Sequence, residues 1–268
     1  MIKKFYPVIN TSKLGYIYCR ISIAWQNISQ NDIEKIYAEL RNDKRIFWMF
    51  EVQGILDLFM VIWCKKLDDF RTFVQDFMCK YSKFVKTKIE NIATDVIHYQ
   101  HRYLLNIKET SEVHIAESNR IIDIDKLDKD ILHILQENAR TPLVDMAKRI
   151  KEHPKTIAYR ISRMEKLKLI ECYRITVNHA LLGYTYYKIF LSISNFNKAD
   201  LLRLKEFIKN NPSTIYIVEG INLHSDIDFE MMIKDNKELS DFIRQKYHSS
   251  MMSGKAMLIL PIYMDWYF

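Results

Sequence analysis

The stretch IDKLDKDILHILQENARTPLVDMAKRIKEHPKTIAYRISRMEKLKLIECY, residues 124–173, decides the fold. Its apolar positions recur at helical spacing in three short runs, followed by a basic hairpin. The first run turns Ile131, Leu132, Ile134 and Leu135 inward from a start at Asp128, and ends at Asn138-Ala139-Arg140. Thr141 is expected to cap the second run, with Pro142 at the first helical position, where a missing N–H costs nothing. There Leu143, Met146, Ala147 and Ile150 face the core. Lys151-Glu152-His153 is a turn and Pro154 opens the third run, which ends near Lys168; residues 170–177 supply a strand or wing. At about 100° per residue, Thr156, Tyr159, Arg160 and Arg163 share one face of the third helix, and Ile157, Ile161 and Met164 share another. One face packs on a small core while the other can meet a polyanion. The unit reads as a winged helix-turn-helix over residues 124–178.

Composition supports a folded chain. Hydrophobic residues make up 49% of the 268 and charged residues 27%, enough for two or three packed domains. Five Gly and five Pro leave little room for flexible linkers. No apolar run approaches the roughly 20 residues that span a bilayer, and MIKKFYPVIN is unfit as a signal peptide, so a cytoplasmic protein with no membrane partner is expected. Cys19, Cys64, Cys79 and Cys172 form no C-x-x-C pair and have no His at ligand spacing. Free thiols are therefore expected, with no metal and no cofactor. The net charge of +7 says little alone. More telling is that Lys151, Lys155, Arg160, Arg163, Lys166 and Lys168 gather at the third helix against only Glu152 and Glu165.

On either side lie two stretches with the same order of elements. In the first, residues 17–25 read as a strand. A helix capped at Ser29 follows, then strands at 46–52 and 58–64, a helix from Leu67 carrying Phe70, Phe73, Val74, Phe77 and Tyr81, and a strand at 89–99. In the second, a strand at 184–194 precedes a helix capped by Asn197, strands at 215–219 and 227–233, a helix capped by Asn236, and a strand at 255–264. Each is βαββαβ, the split arrangement of ferredoxin-like domains, with two helices on one sheet face and an aromatic face that something must cover. Leu14-Gly15-Tyr16 returns 168 residues later as Leu182-Gly183-Tyr184, and residues 6–10 echo residues 173–178. The predicted class is α+β: residues 1–105 a first ferredoxin-like domain, 106–123 a polar linker with a short strand near 112–116, 124–178 the winged helix-turn-helix, and 179–268 a second ferredoxin-like domain.

The runs L-D-x-D-I-L-x-x-L-Q-x-N-A-R (127–140), M-A-K-R-I (146–150), T-I-x-x-R-I-x-R-M-E (156–165) and I-E-C-Y (170–173) resemble the DNA-binding half of the leucine-responsive/asparagine-regulator (Lrp/AsnC) family. In that family a βαββαβ effector domain (the RAM domain) follows directly, as it does here. The resemblance implies a non-enzymatic, sequence-specific transcriptional regulator of double-stranded DNA, responsive to an effector such as an amino acid. It implies that the two RAM-like domains pair within the chain, and that chains form a homodimer so that two helices meet two half-sites. The ancestral unit would be winged helix plus RAM domain, with the first winged helix either lost or encoded upstream. Thr156, Tyr159 and Arg160 would lie nearest base edges and Lys155, Arg163, Lys166 and Arg174 would meet phosphates. The family's G-x-x-D effector turn corresponds to Gly54 and Asp57, and in the second copy to Gly220 with Asp226 and Asp228.

Three positions depart from the family pattern. Lys151 stands where a turn Gly is usual, His153 where Ser caps the third helix, and Lys168 where Gly leads into the wing. A lost turn Gly or cap costs about 1 kcal/mol each. Two alternatives follow: a degenerate winged helix kept as a sensor or assembly module, and an enzyme resembling haem-pathway (sirohaem) decarboxylases, which would need residues such as His98, His101, Arg102 and His114 around a large pocket.

Overall fold

The computed structural model describes residues 2–105, 107, 111–116, 120–193, 197–222, 226–247 and 252–264. The first half runs β1 (Ile2–Ile9), β2 (Ile17–Trp25), α1 (Gln30–Arg41), β3 (Ile46–Gln53), β4 (Leu58–Cys64), α2 (Leu67–Tyr81) and β5 (Val85–Tyr99). A short helix α3 (Arg102–Leu105) and strand β6 (Glu112–His114) lead to the helices α4 (Lys126–Glu137), α5 (Leu143–Ile150) and α6 (Pro154–Lys166) and to strand β7 (Ile170–Val177). The second half is β8 (Thr185–Ile193), α7 (Lys198–Asn210), β9 (Thr214–Ile221), β10 (Ile227–Ile233), α8 (Asn236–Tyr247) and β11 (Met252–Met264). The repeated order expected from the sequence is present on both sides of the three helices. Ser29 accepts from the Asp32 N–H and Asn197 from the Asp200 N–H, as the caps of α1 and α7. The side chain of Asn236, expected as the cap of α8, lies outside the described residues.

The two halves join edge to edge. Strands follow one another β2-β4-β3-β11-β8-β10-β9-β5, and β5 pairs back to β2, so eight strands close a ring with β6 attached beyond it. β5 is long enough to serve both neighbours: residues 85–93 pair with β2, and residues 92–98 with β9. The other seam joins β3 to β11, with Phe50 opposite Pro261 and Val52 opposite Ile259. Closure removes the open edges that two separate sheets would present. It also covers the aromatic faces, which turn toward each other: Phe50, Val52 and Phe59 of the first half pack with Tyr186, Phe190, Ile215 and Met232 of the second. The opposite faces carry the helices, α1 and α2 on one half and α7 and α8 on the other.

Gly220 marks a seam. A Cβ there would sit 2.2 Å from the Ile92 carbonyl oxygen and 2.9 Å from Ala93 Cα, both backbone atoms that cannot rotate aside. Its place in the sequence had suggested an effector turn; its contacts show a close approach of β9 to β5.

Residues 2–14, expected within the first domain, pack on the central helices as well as on the ring. β1 pairs antiparallel with β7, Tyr6 opposite Arg174 and Val8 opposite Cys172, so the two echoing segments hydrogen-bond to each other. Ile9 and Leu14 enter the helical core with Ile131, Leu132, Leu135, Met146, Ile157 and Met164. The Asn10 N–H donates to the Leu169 carbonyl (2.9 Å), the Ala139 N–H to the Phe5 carbonyl (2.9 Å), and the Arg140 guanidinium lies 3.8 Å from the Phe5 ring centroid. Two local expectations fail. Thr141 does not cap α5: its hydroxyl donates to the Asn138 carbonyl, and Pro142 takes the N-cap position with no side-chain bond. Leu143 is exposed because α5 lies at the edge of this small core.

The Gly220→Ala variant is expected to lose about 1–3 kcal/mol of stability, read as a lowered midpoint in urea; an unchanged midpoint would show that the seam can yield.

Candidate nucleic-acid interface

α6 is positioned by three unusual residues. Lys151 adopts φ 57°, the left-handed conformation that ends α5 and that Gly occupies at lower cost. His153 replaces a hydroxyl cap: its Nδ1 accepts from the Lys155 N–H at 3.2 Å, and Pro154 takes the first turn. Lys168, also at φ 57°, closes the helix, while the Leu169 N–H returns to the Met164 carbonyl. Both turns therefore form with Lys in left-handed positions and His as the cap.

Ile157 and Met164 are buried against α4, and the opposite side of α6 faces solvent. Lys155, Tyr159 and Lys166 are exposed there, Tyr159 at 67%, and Thr156 is half-buried beside them. The two arginines expected on this face are committed elsewhere. Arg160 Nη1 lies 2.8 Å from Asp125 Oδ2 and 3.3 Å from Asp128 Oδ2, and Arg163 Nη1 lies 3.2 Å from Asp128 Oδ2. Asp128 is fully buried and also completes a capping box with Asp125 at the start of α4. The Asp128 N–H, then Arg160, hold the Asp125 carboxyl below its usual range. Arg160 and Arg163 thus clamp α6 to the N-terminus of α4; helical spacing gives the azimuth of a side chain but not its tertiary partner. Arg174, expected at a phosphate, turns inward from β7, where its charge opposes protonation of His98 and His101.

Behind the β1–β7 ribbon lies a partly open cavity of about 370 Å³ lined by residues of both halves and of the ribbon. Its floor carries a buried charge network. Arg20 Nη1 pairs with Asp228 Oδ2 (2.8 Å) and its Nε donates to Asn91 Oδ1 (2.5 Å). Lys188 Nζ bridges Asp228 Oδ1 (2.5 Å) and Glu230 Oε1 (3.0 Å), and the Tyr186 hydroxyl donates to Glu230. Burial holds His98 neutral and lowers His101 to about 4. It also pushes the Tyr6 phenol up to about 12, against the pull of Arg174.

The five expected effector residues are not brought together at this cavity, and none lines it. Gly54 and Asp57 sit at the β3–β4 turn, where Asp57 Oδ2 accepts from the Trp25 N–H (2.7 Å) and ties the turn to β2. Gly220 is at the seam, the Asp226 N–H donates to the Leu191 carbonyl, and Asp228 is inside the network. Of the four residues proposed for an enzyme pocket, His98 and His101 line the cavity. Arg102 donates to the Asn211 carbonyl (3.0 Å) and His114 faces Asp95 (2.5 Å). Among the described residues, no cluster of His, Cys, Asp and Glu could hold a metal ion, and no helix is long and apolar enough to cross a membrane.

Residues 124–165 match the AsnC-type helix-turn-helix domain. The HTH-type transcriptional regulator LrpA of Pyrococcus horikoshii is 30% identical over 127 residues, which are 46% of this chain and 85% of that protein. The chain belongs to the Lrp/AsnC family of transcriptional regulators. Regulatory protein AsnC of Escherichia coli K12 is 41% identical over 61 residues, 23% of this chain and 40% of that one. Among solved structures, the siroheme decarboxylase NirDL superposes with a TM-score of 0.61 at 11% identity, covering 96% of this chain and 75% of that one, a likeness of fold. This Lrp/AsnC chain carries Lys at two left-handed positions. Lys151→Gly and Lys168→Gly are each expected to raise stability by about 0.5–1 kcal/mol in thermal melts; a lowered melting temperature would show that the Lys side chains make up for the strain.

Proposed function

We propose that this Lrp/AsnC-family regulator binds double-stranded DNA by laying α6 in the major groove. The observation that carries the reading is the exposed face of α6. Lys155, Thr156 and Tyr159 stand together at its N-terminal half, the end that reaches base edges in this docking mode, and Lys166 is exposed at its C-terminal end. Arg160 and Arg163 act by fixing the helix, through Asp125 and Asp128, rather than by reading bases. We further propose that the two βαββαβ halves are a duplicated RAM-type pair, joined within one chain, that responds to a small molecule. One reading helix per chain then calls for a homodimer on paired half-sites.

The test is fluorescence anisotropy of the whole protein on a labelled random duplex. Binding is expected at low salt and to weaken steeply as salt rises, because released counterions drive it. Lys155→Ala with Lys166→Ala should weaken it about tenfold or more with an unchanged melting temperature. No binding at low salt sinks the proposal.

A second reading, a haem-pathway decarboxylase, draws support from His98 and His101 in the cavity wall. A porphyrin with several carboxylates needs uncommitted cations, whereas Arg20 and Lys188 are neutralised by Asp228 and Glu230. A shifted Soret band on adding an iron porphyrin would favour that reading.

A further inference from the structure

We propose that this cavity is the effector site of this regulator, and that it takes a small aromatic acid, with the ring against the aromatic wall and the carboxylate accepting from the Trp48 indole N–H and facing Lys3 and His179. The proposal rests on the regulator reading and adds to it the site and the ligand class.

Four observations carry it. The cavity's volume of about 370 Å³ falls within the range of small-molecule sites. Its wall is aromatic: Tyr18, Phe50, Phe59 and Tyr216 line it together with Trp48. Two lining residues hold buried ring nitrogens with no hydrogen-bond partner among the described residues, Trp48 Nε1 and His179 Nδ1. An indole N–H left this way is costly and asks for an acceptor, which a ligand oxygen supplies. The charge pattern selects the sign. Among the described side chains inside, Arg20 and Lys188 are balanced by Asp228 and Glu230, so neither cation is free for a polyanion. At the edge, Lys3 lines the cavity, is exposed, and lies close enough to His179 to disfavour its protonation. That edge favours a single negative charge over a cation.

The location supplies a route to the DNA-binding unit. Residues 175–177 of β7 line the cavity, while Ile170, earlier in the same strand, is buried in the helical core. In β1, Tyr6 lines the cavity, Val8 packs on Val96 and Val218 of the ring, and Ile9 enters the helical core. A ligand behind the ribbon therefore touches the strands that carry α6. If the ligand favours one ribbon position and DNA another, each weakens the other's binding by the same factor, at most the ligand's preference between the two positions.

The experiment uses the full chain and 1-naphthoate as probe, followed by its own fluorescence, with mellitate, a benzene ring bearing six carboxylates, as the polyanion control. Expected results are saturable binding of one naphthoate per chain, no competition by mellitate, and binding at least tenfold weaker in Trp48→Phe, which keeps a ring but loses the N–H. Binding should be abolished in Met232→Trp, which fills the cavity. Should either variant fail to fold, as judged by circular dichroism, the wild-type indole N–H resonance of Trp48 serves instead, and it must shift on saturation with naphthoate. Absence of saturable binding, equal binding by both folded variants, or an unmoved Trp48 resonance overturns the proposal. DNA anisotropy on the same samples separates the two ideas. Naphthoate bound with no DNA binding at low salt defeats the regulator reading, and the effector role with it. DNA bound with no naphthoate binding defeats this inference alone.

Discussion

The structure turns on Asp228, a fully buried carboxylate between Arg20 and Lys188. The second half brings Lys188, Asp228 and Glu230 to its inner face, one cation against two anions; the first half brings Arg20. Neither half can bury that face alone without leaving charge unpaired, and removing one partner of such a pair costs about 3–5 kcal/mol. Joined, the charges of the described residues balance, with Asn91 accepting from Arg20 Nε and the Tyr186 hydroxyl donating to Glu230. Buried ion pairs add little net stability against an apolar core, but they penalise every arrangement that separates them. Here they join β2 to β10 across the ring.

The ring in turn supports the ribbon. β1 and β7 lie between the ring and the helical core, and alternate residues of β1 serve the two sides: Val8 packs on Val96 and Val218, and Ile9 on the core of the reading unit. The N-terminal strand is thus part of the winged unit, although more than 100 residues separate it from the helices in the chain. The cavity lies where ring and ribbon meet, which makes it a structural junction whatever its occupant.

Much of this was legible in the sequence. Strands and helices fall where residue alternation and apolar stripes place them, Ser29 and Asn197 cap as expected, and the L-G-Y echo marks matching left-handed turns at Gly15 and Gly183. The interior charges were not legible. In β10, Ile227, Phe229, Met231 and Ile233 alternate with Asp228 and Glu230, a pattern that usually means one face on a core and one in water. The face carrying the acids meets another sheet, and alternation cannot tell water from a second set of charges. The same limit hid Arg160 and Arg163, whose helical azimuth was read correctly while Asp128, about 30 residues earlier, holds them. Trp48 and His179 gave no signal, since a strand Trp and a loop His are ordinary until a cavity opens beside them.

The most direct measurement is a double-mutant cycle between the halves, Arg20→Met with Asp228→Asn, by urea unfolding of the full chain. If the buried network joins the halves, the two substitutions must couple, and the double variant should fall short of the sum of the singles by about 1–3 kcal/mol. Additivity within about 0.5 kcal/mol would mean that Arg20 and Asp228 are stabilised independently, and that something other than their pairing holds the ring closed.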